Sequence, residues 1–164
     1  MSEALEKIFM KHIQENEGII HKVIMLYADL ESDRRDLKQE ILFQSWKSYP
    51  KFKGEAKFST WLYRIALNTV LTFKKKAQRK HNFVDKYSVE SETNAQGNKE
   101  DYEILYTLIK QLNEVDRMIM TLHMEGYKNK EIAEITGINQ NNLNVKLHRL
   151  KEKIITQFKS LNNG

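Results

Sequence analysis

Apolar residues recur at helical spacing along most of this chain, punctuated only by single Gly, Pro and Asn positions, and no run of alternating β-branched residues is found. That pattern predicts an all-α fold. At 164 residues the chain has room for one or two small domains, which excludes a large multidomain enzyme. It has no Cys, so disulfide frameworks, thiolate zinc sites, iron-sulfur clusters and thiol nucleophiles are excluded together.

The spacing predicts a first helical region over residues 4–27, which Gly18 is expected to weaken or break. A second starts near Asp33 as N-cap and ends before Pro50, because the residue preceding a proline is disfavoured in helical geometry. A third starts near Phe58 or Ser59 and runs into Lys74-Lys75-Lys76, with Phe58, Trp61, Leu62, Ile65, Thr69 and Phe73 as its core stripe. Residues 81–100 are rich in Ser, Glu, Thr, Asn and Gln and poor in large apolar side chains, the composition of a linker. Four further helices are predicted over 102–112, 115–124, 130–135 and 140–158. The expectation is two small helical domains, 1–80 and 101–164, joined by a flexible linker over 81–100.

Charge is segregated rather than spread. Residues 1–50 carry 7 basic and 9 acidic side chains, whereas residues 51–80 carry 9 basic and one acidic. Residues 81–138 are net acidic, and residues 139–164 again carry 5 basic against one acidic. Two basic segments therefore lie far apart in sequence, as either solvated helix faces or the footprint of nucleic-acid binding.

The carboxy-terminal basic segment follows Glu125-Gly126-Tyr127-Lys128-Asn129-Lys130-Glu131-Ile132-Ala133-Glu134-Ile135-Thr136-Gly137-Ile138, the layout of a helix-turn-helix. Ala133 is small enough for a close helix crossing, Gly137 tolerates the positive φ of a turn, and Ile138 is placed to plug the angle between the helices. Asn139 is then the expected N-cap of the last helix. On that helix Leu143, Leu147, Leu150 and Ile154 make one apolar stripe. Asn142, Lys146, Arg149 and Lys153 fall within about 60° of one another at 100° per residue, and their chemistry suits base edges and phosphates in a major groove. Amphipathicity alone leaves a helical adaptor domain open as well.

In the amino-terminal half, residues 36–46 mix the apolar Leu37, Ile41 and Leu42 with the polar Asp36, Gln39, Glu40 and Gln44. Residues 52–68 interleave aromatics with cations, a mixture that suits single-stranded nucleic acid through base stacking and backbone tracking. Phe58 and Trp61 fall on the core stripe and read better as packing residues. Phe52, Lys53, Lys57, Arg64, Asn68, Lys74 and Lys75 are the surface candidates.

Taken together, Asp36-Leu37-x-Gln39-Glu40 with Trp46, then Phe58-x-Thr60-Trp61-Leu62-Tyr63-Arg64-Ile65-Ala66-x-Asn68, and lastly Glu125-Gly126-Tyr127 with Glu131-Ile132-Ala133-Glu134 and Leu147-His148-Arg149 resemble an RNA polymerase sigma factor of the extracytoplasmic-function (ECF) subfamily. The resemblance spans nearly the whole chain. It implies that Asp36, Gln39, Glu40 and Trp46 bind core RNA polymerase at the β′ clamp helices. It further implies that Phe52, Lys53, Lys57, Arg64, Asn68, Lys74 and Lys75 contact the minus-ten promoter element during melting. Asn142, Lys146, Arg149 and Lys153 would read the minus-thirty-five element, with a β-flap contact nearby. No cofactor is implied, and an anti-sigma factor is left open as a further partner. The chain departs from the family pattern at Lys128, where a capping Ser or Thr is common and Asn129 is expected to cap one step later. It also departs at Thr72, where an acidic residue is frequent, and at Lys146, where Arg is common and a lysine exchanges a forked pair of hydrogen bonds for a point charge.

Two rival classes fit less well. An enzyme would need convergent catalytic groups, yet His12, His21, His81, His123 and His148 include no pair at i, i+4 with a third ligand nearby, and there is no phosphate-cradling glycine loop or Gly-x-Ser-x-Gly elbow. A DNA-binding regulator acting without polymerase leaves residues 36–68 unexplained. The longest apolar runs fall far short of the roughly 18 residues of a membrane span. Residues 1–7 include acidic side chains and lack the basic-then-apolar layout of a signal peptide, so a cytoplasmic location without membrane insertion is expected.

Overall fold

The computed structural model describes residues 2–80 and 99–163, and among them every regular element is helical. The chain divides into two compact units, Met1–Val89 and Glu90–Gly164. The expected linker lies outside the described residues except at 99 and 100, which already belong to a helix.

In the first unit, α1 spans Glu3–Glu15, α2 Glu17–Tyr27, α3 Glu31–Ser48 and α4 Phe58–Lys80, with a 3-10 turn at Tyr49–Lys51. The Leu5 amide donates to Ser2 Oγ at 3.3 Å, capping α1. The predicted first helix is two helices, and the break falls at Asn16 rather than Gly18. Asn16 Nδ2 donates to the His12 carbonyl at 2.8 Å, so its short side chain takes over a backbone acceptor that the next turn would otherwise use. Gly18 lies inside α2 without a positive φ. Asp33 is likewise not the N-cap of α3. That position is Leu30, and Asp33 sits with Glu31 in the first turn, where carboxylates favour the positive end of the helix dipole. Arg34 Nε donates to the Ala28 carbonyl at 2.9 Å and ties down the connection from α2.

The core of this unit is the meeting of α2, α3 and α4. Ile20, Val23 and Ile24 pack with Leu37 and Ile41, and with Leu62, Tyr63, Ala66, Leu67 and Val70. The stripe expected on α4 is thus rotated. Phe58, Leu62 and Thr69 are buried as expected, but Trp61, Ile65 and Phe73 are only half-buried, and the centre of the interface moves to Tyr63, Ala66, Leu67 and Val70. Apolar residues surround more than half of this helix, so periodicity alone cannot choose the innermost line.

The second unit contains α5 (Lys99–Lys110), α6 (Glu114–Met124), α7 (Asn129–Thr136) and α8 (Gln140–Asn162). Asn113 caps α6 through a 2.9 Å bond accepted by its Oδ1 from the Asp116 amide. Arg117 donates to the Lys110 and Leu112 carbonyls at 2.7 and 3.0 Å, satisfying the end of α5. Gly137, at φ 74°, closes α7 with its amide on the Ala133 carbonyl at 2.9 Å, and Asn139 caps α8 as expected. Asn129 is not a cap. Lys128 occupies that position and has no side-chain acceptor to offer, so only the reciprocal bond of a capping box forms, from the Lys128 amide to Glu131 Oε2 at 2.9 Å. Leu143, Leu147, Leu150 and Ile154 are buried along α8, against Met118, Ile119 and Leu122 of α6 and Ile132 and Ile135 of α7.

Two substitutions on α3 separate packing from polarity. Ile41 is fully buried, so Ile41→Ala should cost about 2–5 kcal/mol in chemical denaturation. Ser45 is also fully buried, and its hydroxyl has no hydrogen-bond partner among the described residues, so Ser45→Ala should leave stability unchanged or raise it by about 1 kcal/mol.

Candidate functional site

Because Leu37, Ile41 and Ser45 turn inward, the intervening polar positions of α3 must face outward. Asp36, Gln39 and Glu40 are exposed. Glu40 Oε1 accepts from Gln44 Nε2 at 2.7 Å, which holds the carboxylate along the helix surface. Asp36, Glu40, Gln44 and Ser48 form one wall of a groove of about 410 Å³ whose other wall is α4, with Asn68, Thr72 and Lys76. Trp46 lies apart from this acidic line. It is half-buried, with its ring 5.0 Å from that of Phe9, and lines a second, mostly apolar groove of about 660 Å³ with Met10, Leu42 and Phe43. Phe43 was not a sequence candidate, yet it is 56% exposed beside the acidic line. Its apolar character reads as core until the fold shows which way it points.

On α4 the core line of Leu62, Ala66 and Val70 forces Arg64, Asn68 and Lys75 to the outside, where all three are exposed. Arg79 is exposed as well and extends this face beyond the sequence candidates. Lys74 is half-buried. The loop leading into α4 is folded by its aromatics. Phe52 lies 5.1 Å from Trp61 and 5.7 Å from Phe58, Trp61 lies 5.2 Å from Phe58, and the His12 ring stacks on Phe58 at 4.8 Å. Phe52 and Trp61 are half-buried and Phe58 is buried, so Phe52 belongs to this cluster and retains only a partly open ring. Gly54 takes φ 75° at the tip, a conformation costly for any side-chain-bearing residue, and Lys53 and Lys57 are exposed on either side of it. The result is a ring cluster with one partly open edge, rimmed by cations.

On α8, Asn142, Arg149 and Lys153 are exposed, as the amphipathic pattern requires. Lys146 is held differently: its Nζ lies 2.8 Å from Asp116 Oδ1 on α6, and Asp116 Oδ2 accepts from Asn113 Nδ2 at 3.0 Å. Two residues earlier, Asn144 Oδ1 accepts from Asn129 Nδ2 of α7 at 2.8 Å. Val145, between these two tethered residues, is 52% exposed and was missed because a valine on an amphipathic helix reads as core. Among the described residues no three His, Asp or Glu side chains gather into a metal-ligating cluster, and no helix is long and apolar enough to cross a membrane.

These surfaces define a helix-turn-helix protein with a second surface, aromatic and basic, on a separate helical unit. Residues 12–80 match the family Sigma-70 region 2, and residues 102–154 match Sigma-70, region 4; together the two matches span about three quarters of the chain. A curated relative, the ECF RNA polymerase sigma-E factor of Escherichia coli K12, is 27% identical, with 86% of this chain and 83% of the relative covered. Two solved structures share the fold. The sigma factor RpoE of Bartonella quintana, in complex with the anti-sigma factor NepR, gives a TM-score of 0.73 at 15% identity over 93% of this chain and 98% of that one. CnrH in complex with the cytosolic domain of CnrY gives 0.66 at 14% identity over 94% and 90%. The chain belongs to the sigma-70 family, in its extracytoplasmic-function branch of RNA polymerase sigma factors. It is an initiation factor rather than an enzyme, and it directs the start of transcription.

The Asp116 tether has a measurable consequence for DNA binding. Asp116→Asn removes the anion that holds Lys146, so the log–log slope of duplex binding against salt should steepen by about one phosphate contact, read from binding isotherms at several salt concentrations.

Proposed function

We propose that the two units divide promoter opening between them, with residues 1–80 binding core polymerase and the minus-ten element and residues 101–164 reading the minus-thirty-five element. The observation that carries this reading is the juxtaposition in the first unit of an acidic line on α3 and a cationic, aromatic-ended face on α4, joined by one helix–helix interface.

In this reading Asp36, Gln39 and Glu40 meet basic residues of the β′ clamp helices, and Trp46 supports that surface from its contact with Phe9. Arg64, Asn68, Lys74 and Lys75 follow the DNA backbone and base edges. Phe52, Lys53 and Lys57 surround a base turned out of the non-template strand. Melting needs no nucleotide hydrolysis on this account: unstacking a base costs a few kcal/mol, and stacking against the open edge of a preformed aromatic cluster offsets it. A cluster already ordered by its own ring contacts loses little conformational entropy when the base arrives.

In the second unit Asn142, Arg149 and Lys153 lie along the exposed side of α8, where Asn and Arg suit adenine and guanine edges and Lys suits phosphate. Lys146 joins them only by exchanging Asp116 for DNA. A contact to the polymerase β-flap completes the reading for this unit. An anti-sigma factor is a further partner, supported by the fold neighbour crystallised with one. A cytoplasmic location goes with these partners.

Three measurements test the proposal. The purified chain added to bacterial core polymerase should produce specific run-off transcripts from a promoter library, and a transcript pattern unchanged from core alone would refute it. Asp36→Lys and Glu40→Lys should each weaken competition for core, because each reverses a charge at the proposed contact; undiminished competition would remove α3 from the interface. Arg149→Ala should reduce discrimination among upstream elements by about 1–3 kcal/mol, whereas an equal loss on all sequences would assign Arg149 to phosphate.

A further inference from the structure

We propose that Val145 selects thymine at one position of the upstream promoter element, by packing its methyl groups on the thymine C5 methyl. The inference rests on the reading of α8 as the helix that enters the major groove at that element.

Three observations single out this residue. Across residues 140–153 the exposed and half-exposed positions carry Gln, Asn, Lys, His, Arg or Glu, and Val145 is the single apolar one, with 52% of its surface open to solvent. The residues on either side of it are tied back onto the domain. Asn144 accepts a hydrogen bond from Asn129 at the start of α7, and Lys146 is paired with Asp116 on α6. Leu143 and Leu147, two positions away on each side, are buried in the core. Val145 therefore projects from the domain between two tethered neighbours. One turn before and after it on the same surface stand Asn141 and Arg149, both exposed.

The chemistry of such a position is narrow. Valine has no hydrogen-bonding group, so in a major groove the one base feature it can favour is the methyl group that thymine presents there and cytosine lacks. Its β-branched side chain is held in essentially one rotamer on a helix, so the methyl groups are in place before DNA arrives. Lys146, held on Asp116, leaves the reading of this part of the groove to its neighbour.

Holoenzyme assembled from bacterial core polymerase and the full chain would first select from duplexes randomised across the upstream element. Each thymine of the selected element would then be replaced in turn by uracil, which removes the C5 methyl and leaves base pairing unchanged. With the native chain, uracil at one position should lower binding about threefold to fivefold, the scale of burying one methyl group. With Val145→Ala, uracil and thymine at that position should bind equally. The alanine variant replaces an exposed residue by a stronger helix former and is expected to keep its helicity, which circular dichroism reads directly. Tolerance of uracil at every position, a selected element without thymine, or an undiminished loss in Val145→Ala overturns the proposal. If Arg149→Ala still flattens upstream selection in that case, α8 remains the reader and the Val145 assignment alone fails. If no upstream sequence is selected at all, both readings fail.

Discussion

The packing of α3 against α4 is the contact on which the first unit depends. Leu37, Ile41 and Ser45 on one helix and Leu62, Ala66 and Val70 on the other leave almost no surface to water. Burying those lines fixes the rotation of both helices about their axes, and rotation decides which polar residues face outward. Asp36 and Glu40 come to one wall of a groove and Asn68 and Lys76 to the other. An acidic line and a basic face thereby stand side by side with little freedom to separate. In the proposed reading, polymerase and DNA are held at once by two contacts that one interface positions, rather than by independent surfaces.

The aromatic loop is built by ring packing, and the proposed recognition of a base would use the same side chains. Phe52, Phe58 and Trp61 lie within ring-contact distance of one another, so ring packing holds the loop between its backbone hydrogen bonds to the 3-10 turn and to α4. Phe58 is consumed by that task, while Phe52 and Trp61 stay half-buried. The cations beside Gly54 cannot enter the cluster without losing hydration and so remain at its rim. A cluster ordered in this way would lower the ordering cost of the proposed binding.

In the second unit the helix-turn-helix presents a helix whose flanks are anchored by polar contacts. Asp116 draws Lys146 toward α6, and Asn129 draws Asn144 toward α7. Those tethers narrow the outward face of α8 and give prominence to Val145, a residue without charge or hydrogen-bonding capacity. If α8 reads DNA as proposed, its specificity is set partly by which long side chains are prevented from reaching outward, which a count of charges along the sequence does not reveal.

The all-α class, the two helical units, the turn at Gly137, the cap at Asn139 and the apolar line of α8 were legible in the residues themselves. Each follows from local chemistry: periodicity, a positive φ, a side-chain oxygen beside free amides. The acidic line on α3 and the basic face on α4 were legible as compositions but not as neighbours. What local patterns could not fix were choices among near-equal alternatives. Asn16 rather than Gly18 breaks the first helix because its amide found a carbonyl. The core line of α4 turned toward Tyr63 and Val70 because α2 and α3 both pack against it. Lys146 lost its freedom, and Phe43 and Val145 gained exposure, only once distant helices were in place. By itself the sequence determined which segments are helical and what chemistry each carries; tertiary structure alone decided which side of each helix meets the world, since burial is a property of the neighbours a residue acquires and not of the residue.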